Sequence, residues 1–504
     1  MSGRKPSRSF GMSRMLESLN DTVQQAKDAG TQIRTRAAPL TQRLAEHGHH
    51  TPLTRKLAEH GHHAPLVDLH IQFIGASGLP KMDVVGTADP YFVAKLDDRL
   101  TFVSNVIRND LAPVWNESWR VRNVPSTATL SIEMHDKDEG STRDDFIGKC
   151  STSVSPGAKE LELDGGILVL RRSRGSMWLK IDSTPSTMRQ RDEFQYLFDG
   201  PVRFTRHFSP TVGLFTASST VSETTAKKFD MRLYSTWKFH IKGVPLFFRD
   251  VHQGWNTQYP AAQKIFGTTP TSIAARRSIQ AGHALLYARL ADNKSGTLDT
   301  RVGSGDSDPD EPIALKDVLH AGGNPEERIK PAVYTYIISS RDDSLRFSET
   351  GAAFFVDFAS KHALHANCAK QVRYSGELHP RPVGGWANFS DAIADEDVDW
   401  ELVVDNNSGT YAPDKLMLPT VLECLEYNFG CALPPVGHRR FRVVVYDRED
   451  ERLIESREAC REYAINVRGV NKDDLQPHVG TGEVTLSQKA SLSPVRQDSG
   501  ASWM

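Results

Sequence analysis

Six aspartates fall in two separated stretches of this chain, and together they could hold a metal ion. GLPKMDVVGTADPY (Gly78–Tyr91) supplies Asp83 and Asp89, six residues apart. HDKDEGSTRDDFIG (His135–Gly148) supplies Asp136, Asp138 and the pair Asp144–Asp145. Carboxylates crowded within a few ångströms repel one another, so such a cluster normally persists because a cation neutralises it. A hard cation with six to eight oxygen ligands, calcium above all, suits an all-carboxylate set.

The flanking segments explain how the two stretches could meet. Val67, Leu69, Ile71 and Phe73 alternate with mostly polar neighbours, the period-two pattern of a half-buried strand. Leu130, Ile132 and Met134 alternate likewise, and continuing that phase puts Asp136 and Asp138 on one side of the emerging loop. Gly86 permits a tight reversal, and Pro90 pushes Asp89 towards an extended backbone. Several short strands separated by turn signals predict an antiparallel sandwich.

The run GLPKMD…GTADPYFV, followed by APVWNESW and IEMHDKD…RDDFIGK, resembles the C2 domain of the protein kinase C and synaptotagmin type. The resemblance covers residues 66–183. It implies an eight-stranded sandwich that binds two or three calcium ions at one end and, through them, anionic phospholipid. The ligands it implies are Asp83, Asp89, Asp136, Asp138 and Asp145. The gap from Asp138 to Asp145 is one residue longer than in the commonest members, which leaves Asp144 and Asp145 both open as the fifth ligand. Val84 and Val85, at the tip of the first loop, are expected to reach the lipid headgroup boundary, with Arg143 beside lipid phosphates.

Composition bounds the rest. A chain of 504 residues suggests two or three domains. With 61 basic against 63 acidic residues, no global attraction to nucleic acid is implied, and none is expected as a partner. Five cysteines without a C-x-x-C pair argue against a disulfide framework or a zinc ribbon and fit a reducing, cytosolic setting. No apolar run is long enough to span a membrane, so any membrane contact is expected to be peripheral.

Residues 1–65 read as a disordered extension with a basic start, where Met12, Met15, Leu16, Leu19 and Val23 fall at loosely helical spacing. PLTQRLAEHGHH (Pro39–His50) is repeated as PLTRKLAEHGHH (Pro52–His63). The clustered imidazoles could capture a transition metal, but a duplicated linker is the simpler reading. Residues 471–504, rich in Ser, Gly, Gln and Pro, are expected to be a disordered tail.

Between these limits, residues 195–470 are expected to form one mixed α/β or α+β domain, separated from the sandwich near Ser183. Met231–Ile241, His283–Leu290, Val333–Ser339 and Trp400–Asn406 read as strands, Gly303–Pro312 as an exposed loop and Gly351–His365 as helix-compatible. Leu418, Val421, Leu422, Leu425 and Phe429 predict a helix stopped at Gly430. Phe441–Asp447 then reads as a strand and Glu449–Ile465 as a second helix, an order that allows a parallel strand pair. The part from YSGELHP to SGTYAPDK is similar to the region after the C2 domain in uncharacterised fungal proteins, a likeness that brings no activity with it.

No catalytic motif stands out in this second region. The phosphate-cradling loop and the nucleophile elbow are absent. His240 and Lys242 open an H-x-K-x-x-x-x-D pattern that fails because position 247 is Phe. The acid-rich segment Asp391–Asp405 and His379 read as a solvated loop and a turn histidine rather than as catalytic groups. The expected function is therefore a calcium-regulated peripheral membrane adaptor whose 195–470 region binds a protein partner. The competing expectation is a lipid-modifying enzyme recruited by its sandwich.

Overall fold

A computed structural model describes residues 64–83, 86–138, 144–165, 173–188, 194–209, 234–287, 293–298, 328–349, 361–394, 397–429 and 441–470. The N-terminal extension with its histidine repeat, the Gly303–Pro312 loop, the C-terminal tail and Val84, Val85 and Arg143 lie outside the described residues.

The first part is entirely antiparallel. Its strands are β1 (Leu66–Ser77), β2 (Pro90–Leu96), β3 (Leu100–Val103), β4 (Val114–Pro125), β5 (Thr129–Asp136), β6 (Asp145–Ser153), β7 (Gly157–Asp164), β8 (Ser173–Pro185) and β9 (Leu197–Gly200). They pair in the order β3-β2-β5-β6-β7-β8-β1-β4-β9. The link between β6 and β7 is a single residue pair, Lys149 with Asp164, so the sheet folds there into two layers. Their inner faces carry the alternating residues that the sequence pattern picked out: Leu69, Ile71 and Phe73 from one layer meet Leu130, Ile132 and Met134 from the other in one core. Phe73 stacks on Phe102 at 5.1 Å and lies 4.7 Å from Phe92, both across the layers. The fold class is thus a sandwich-like antiparallel sheet, as expected, with β9 added after it.

The second part contains β10 (Arg203–Ser209), β11 (Tyr234–His240), α1 (Val244–Phe248), β12 (Gln253–Gly254), α2 (Pro260–Phe266), α3 (Pro270–Leu286) and β13 (Lys294–Thr297). It continues with β14 (Tyr334–Ile338), β15 (Ser344–Glu349), α4 (Lys361–His365), β16 (Gln371–Val372), β17 (Tyr374–Pro382), β18 (Trp400–Asp405), α5 (Leu418–Phe429), β19 (Phe441–Tyr446) and α6 (Glu451–Asn466). A further sheet takes the order β13-β10-β11-β15-β14-β17-β18-β19, and β12 pairs with β16. All its pairings are antiparallel except β18 with β19. That parallel pair is the one the strand–helix–strand order allows, with α5 as the crossover. α5 buries Val421 and Leu425 against the sheet.

One expected strand is a helix. His283–Leu286 belongs to the end of α3, not to a strand. The cause lies upstream: Pro270 is the first residue of the helix, and Ala, Arg and Gln favour its continuation. Ser272, Ile279 and Leu286, seven residues apart, form its buried stripe.

The two parts meet at Arg203. Its guanidinium donates to the Val103 carbonyl at 2.9 Å and pairs with Glu117 at 2.6 Å, lying over the Phe102 ring at 4.2 Å. β9 pairs with β4, and Ser295 of β13 donates to Asn105.

Two stability predictions follow from the second part. A Cβ on Gly376 would lie 1.9 Å from the Asp405 carbonyl oxygen, so Gly376→Ala should cost about 3 kcal/mol, read as a lower urea midpoint. His362, His365 and His379 are buried, and burial lowers their proton affinity: His362 to about 4, the others well below the usual 6.5. Below pH 6.5 the unfolded chain therefore takes up protons that the folded chain refuses. Stability is full above that value and falls by about 1.4 kcal/mol per histidine per pH unit as the pH drops towards the folded values. Urea midpoints at pH 7.5 and 5.5 should show the decline, and His379→Gln should make it shallower; a His379→Gln slope equal to wild type would disprove the assignment.

Candidate metal centre

Strand register builds the acidic end. In the β2–β5 pairing Pro90 stands opposite Asp136, and in the β5–β6 pairing Asp136 stands opposite Asp145. Asp89, Asp136 and Asp145 are therefore neighbours across three strand ends, although 56 residues separate the first from the last in the chain. Asp83 reaches them from the loop after β1. The Met82 and Asp83 amides both donate to the Thr87 carbonyl, closing a tight turn. Gly86 serves that turn at φ +100°, in the region that favours glycine.

Carboxylate oxygens of Asp83, Asp136 and Asp138 lie within 4.8 Å of one another. Asp136 is 1% exposed; its Oδ1 accepts the Asp89 amide at 2.5 Å, while Oδ2 is buried without a hydrogen-bond partner. Burial raises the Asp136 pKa to about 6; the Asp89 amide opposes the shift, and the charges of Asp83, Asp138 and Asp89 add to it. Asp138 is raised as well, first by burial and then by the charge of Asp145. An orphaned carboxylate oxygen beside two more carboxylates is a donor set that fits a hard divalent cation.

Asp89 stands outside that trio. Its Oδ1 accepts the Asn109 amide at 2.7 Å, and the Asn109 side chain accepts from both the amide and the hydroxyl of Thr87. Asn109 thus clasps the first loop from a left-handed backbone position (φ +53°), a role the sequence reading missed. Asp144 is occupied on both oxygens: Lys137 Nζ donates to Oδ1 at 2.6 Å and the Tyr91 hydroxyl to Oδ2 at 2.6 Å. Asp145 is exposed at the start of β6. The Lys137–Asp144 pair also escaped the sequence reading, because a lysine between two aspartates carries no motif of its own.

The family model of the C2 domain matches residues 67–168. These residues form a C2 domain. Over 105 residues the chain is 37% identical to Extended synaptotagmin-1 of Pongo abelii, covering 20% of this chain and 8% of that protein. A solved C2 domain of plant Extended Synaptotagmin 1 aligns over 25% of this chain and 98% of its own, with 26% identity and a TM-score of 0.22. The calcium-bound pair of C2 domains from Extended-Synaptotagmin 2 aligns over 29% of this chain and 58% of its own, with 22% identity and a TM-score of 0.20. C2 domains commonly bind calcium, and typically membranes, although many bind no ion.

Two of the remaining sequence expectations change in the structure. His379 is no turn histidine: it is fully buried in β17, with Nε2 2.8 Å from Ser456 Oγ. The acid-rich segment is only partly a solvated loop, because Asp405 is buried at the end of β18 and paired with Arg457 at 2.6 Å.

The charge crowding can be tested on the metal-free protein. Asp136→Asn keeps an acceptor for the Asp89 amide and removes one negative charge from the cluster. In EDTA it should raise the stability of the C2 domain by about 1 kcal/mol, read from the thermal midpoint. A lower midpoint would show that repulsion does not govern this end.

Proposed function

We propose that the chain is a calcium-dependent, peripheral membrane protein that docks the acidic end of its C2 domain on anionic phospholipid. The observation that supports this most is the gathering of Asp83, Asp136 and Asp138 oxygens within 4.8 Å of one another, with one oxygen of the buried Asp136 left without a hydrogen-bond partner. Asp83, Asp89, Asp136, Asp138 and Asp145 are the ligands in this reading, for two or three calcium ions. Asp145 rather than Asp144 is the fifth, since Lys137 and Tyr91 already engage Asp144. Within the same proposal, the region 195–470 serves as an adaptor surface for a protein partner. No helix among the described residues is long and apolar enough to cross a membrane, in keeping with peripheral attachment.

The physical basis is a charge switch. Without metal, the five carboxylates place about −5 at one end of the domain, which the anionic cytoplasmic leaflet at ~−30 mV repels. Two calcium ions bring the cluster to about −1 and a third to about +1. Lipid phosphate and carboxylate oxygens then complete the cation's shell. Val84 and Val85 enter the headgroup boundary and Arg143 meets lipid phosphates, at about 1 kcal/mol for the basic residue.

Co-sedimentation of the full chain with phosphatidylserine liposomes over a calcium titration tests this reading. Asp136→Asn/Asp138→Asn should lose calcium-dependent binding while remaining folded. Val84→Ser/Val85→Ser should bind more weakly at unchanged calcium stoichiometry. Binding indifferent to calcium in the wild type rejects the switch. In calorimetric calcium titrations, Asp145→Asn should weaken affinity by about tenfold or more and Asp144→Asn by much less. The reverse order would move the fifth ligand to Asp144.

A further inference from the structure

The loop between β3 and β4 is held by both parts of the molecule. Near its start, the Asn105 amide donates to Glu117 Oε1 at 2.7 Å and the Asn105 carbonyl accepts the Trp115 indole N–H at 3.0 Å, both within the C2 domain. The Asn105 side chain looks the other way. Its Oδ1 accepts the Ser295 hydroxyl of β13 at 2.6 Å and Arg203 Nη2 of β10 at 3.3 Å. The carboxylate that anchors the amide depends on the second sheet as well, because Glu117 Oε2 pairs with Arg203 at 2.6 Å and both side chains are largely buried.

Four residues further on, the same loop reaches the acidic end. The Asn109 amide donates to Asp89 Oδ1 at 2.7 Å, and the Asn109 side chain accepts from the Thr87 amide and hydroxyl. Between these anchors, the Ile107 amide donates to the Pro90 carbonyl at 3.0 Å and its side chain packs on the C2 core. The Asp110 amide adds a bond to the Ala88 carbonyl at 2.9 Å. The short run Asn105–Asn109 therefore leads from the second sheet to a carboxylate of the cluster, with no slack to take up a shift. A cavity of about 800 Å³ between the parts is lined by Asp89, Val106, Arg108 and Lys137 on one side and by Lys238 and Asp342 on the other. The acidic end and the second sheet thus face a common space.

The consequence concerns where Asp89 sits. Carboxylate oxygens ligate calcium at ~2.3–2.6 Å, and a binding constellation must be held to within about 0.5 Å to work. Packed segments transmit displacements of that size rather than absorb them. Removing Arg203 takes the paired cation from a largely buried carboxylate, a far larger disturbance than the loss of an exposed pair.

We propose, resting on the calcium reading above, that the second sheet sets the calcium affinity of the C2 domain. Arg203 and Ser295 are positioning residues: through Asn105 and Asn109 they hold Asp89 where the ion needs it. Such coupling is reciprocal, so calcium in turn tightens the contact between the two parts.

The test is calorimetric calcium titration of the full chain, with thermal midpoints in EDTA as the record of stability. Arg203→Met should weaken calcium binding about fivefold or more, and Ser295→Ala, at an exposed position, about threefold. Arg442→Met removes a partner of Glu401 at the far edge of the same sheet and should leave the affinity unchanged. Arg203→Met/Glu117→Gln removes both charges but keeps an acceptor for the Asn105 amide, so it should recover part of the affinity lost in Arg203→Met. In hydrogen exchange, saturating calcium should slow the Asn105 amide and the Leu298 amide, which donates to the Val202 carbonyl beside Arg203, in the wild type and not in Arg203→Met. Wild-type affinity in both Arg203→Met and Ser295→Ala, or an equal loss in Arg442→Met, would overturn the proposal and leave the calcium reading standing. No calcium binding by the wild type would overturn both. If Arg203→Met does not fold, Ser295→Ala decides alone.

Discussion

The packing of Phe73 against Phe92 and Phe102 holds this part of the molecule in register. Phe73 comes from one layer of the sandwich and its two partners from the other, so their contacts set the distance and alignment of the layers. The acidic end depends on that alignment, because Asp83 follows β1 in one layer while Asp136 ends β5 in the other. Phe102 has a second use, since its ring also carries the Arg203 guanidinium. The aromatic group that closes the C2 core therefore touches the first residue of the next sheet.

The carboxylate cluster was legible because its two requirements are local. Strand alternation places Leu130, Ile132 and Met134 inward, and the same phase carries Asp136 and Asp138 past the strand end. The parallel pairing of β18 with β19 was legible in the same way, from an amphipathic helix between two apolar strands. What could not be read depends on distant groups. Asp144 and Asp145 are chemically identical in sequence, and Lys137 and Tyr91 distinguish them only once β2, β5 and β6 lie side by side. His379 reads as a turn histidine in sequence, yet β17 carries it through Pro380 and Pro382 as a strand residue. The helical end of α3 was missed because His283–Leu290 was read without the turns that precede it.

The second sheet shows how charge is accommodated in an interior. Arg457 reaches both Glu377 and Asp405, and Glu401 receives Arg381 and Arg442. Such networks are seldom worth much stability against an apolar replacement, but breaking one partner leaves a buried charge uncompensated. These groups hold strands β17, β18 and β19 to α6 and to one another. They engage one another closely, although Arg457 Nε is buried without a hydrogen-bond partner.

The short strand β9 has a consequence for the C2 domain itself. It lies along β4 opposite Arg120, Val121 and Arg122 and covers a strand border that would otherwise face water. A chain cut at Ser183 would lose that cover and present an open strand border, a ready template for another molecule to pair with. The segment that joins the two parts thus also acts as a guard against aggregation, and the C2 domain is better delimited for solubility after Gly200 than before it.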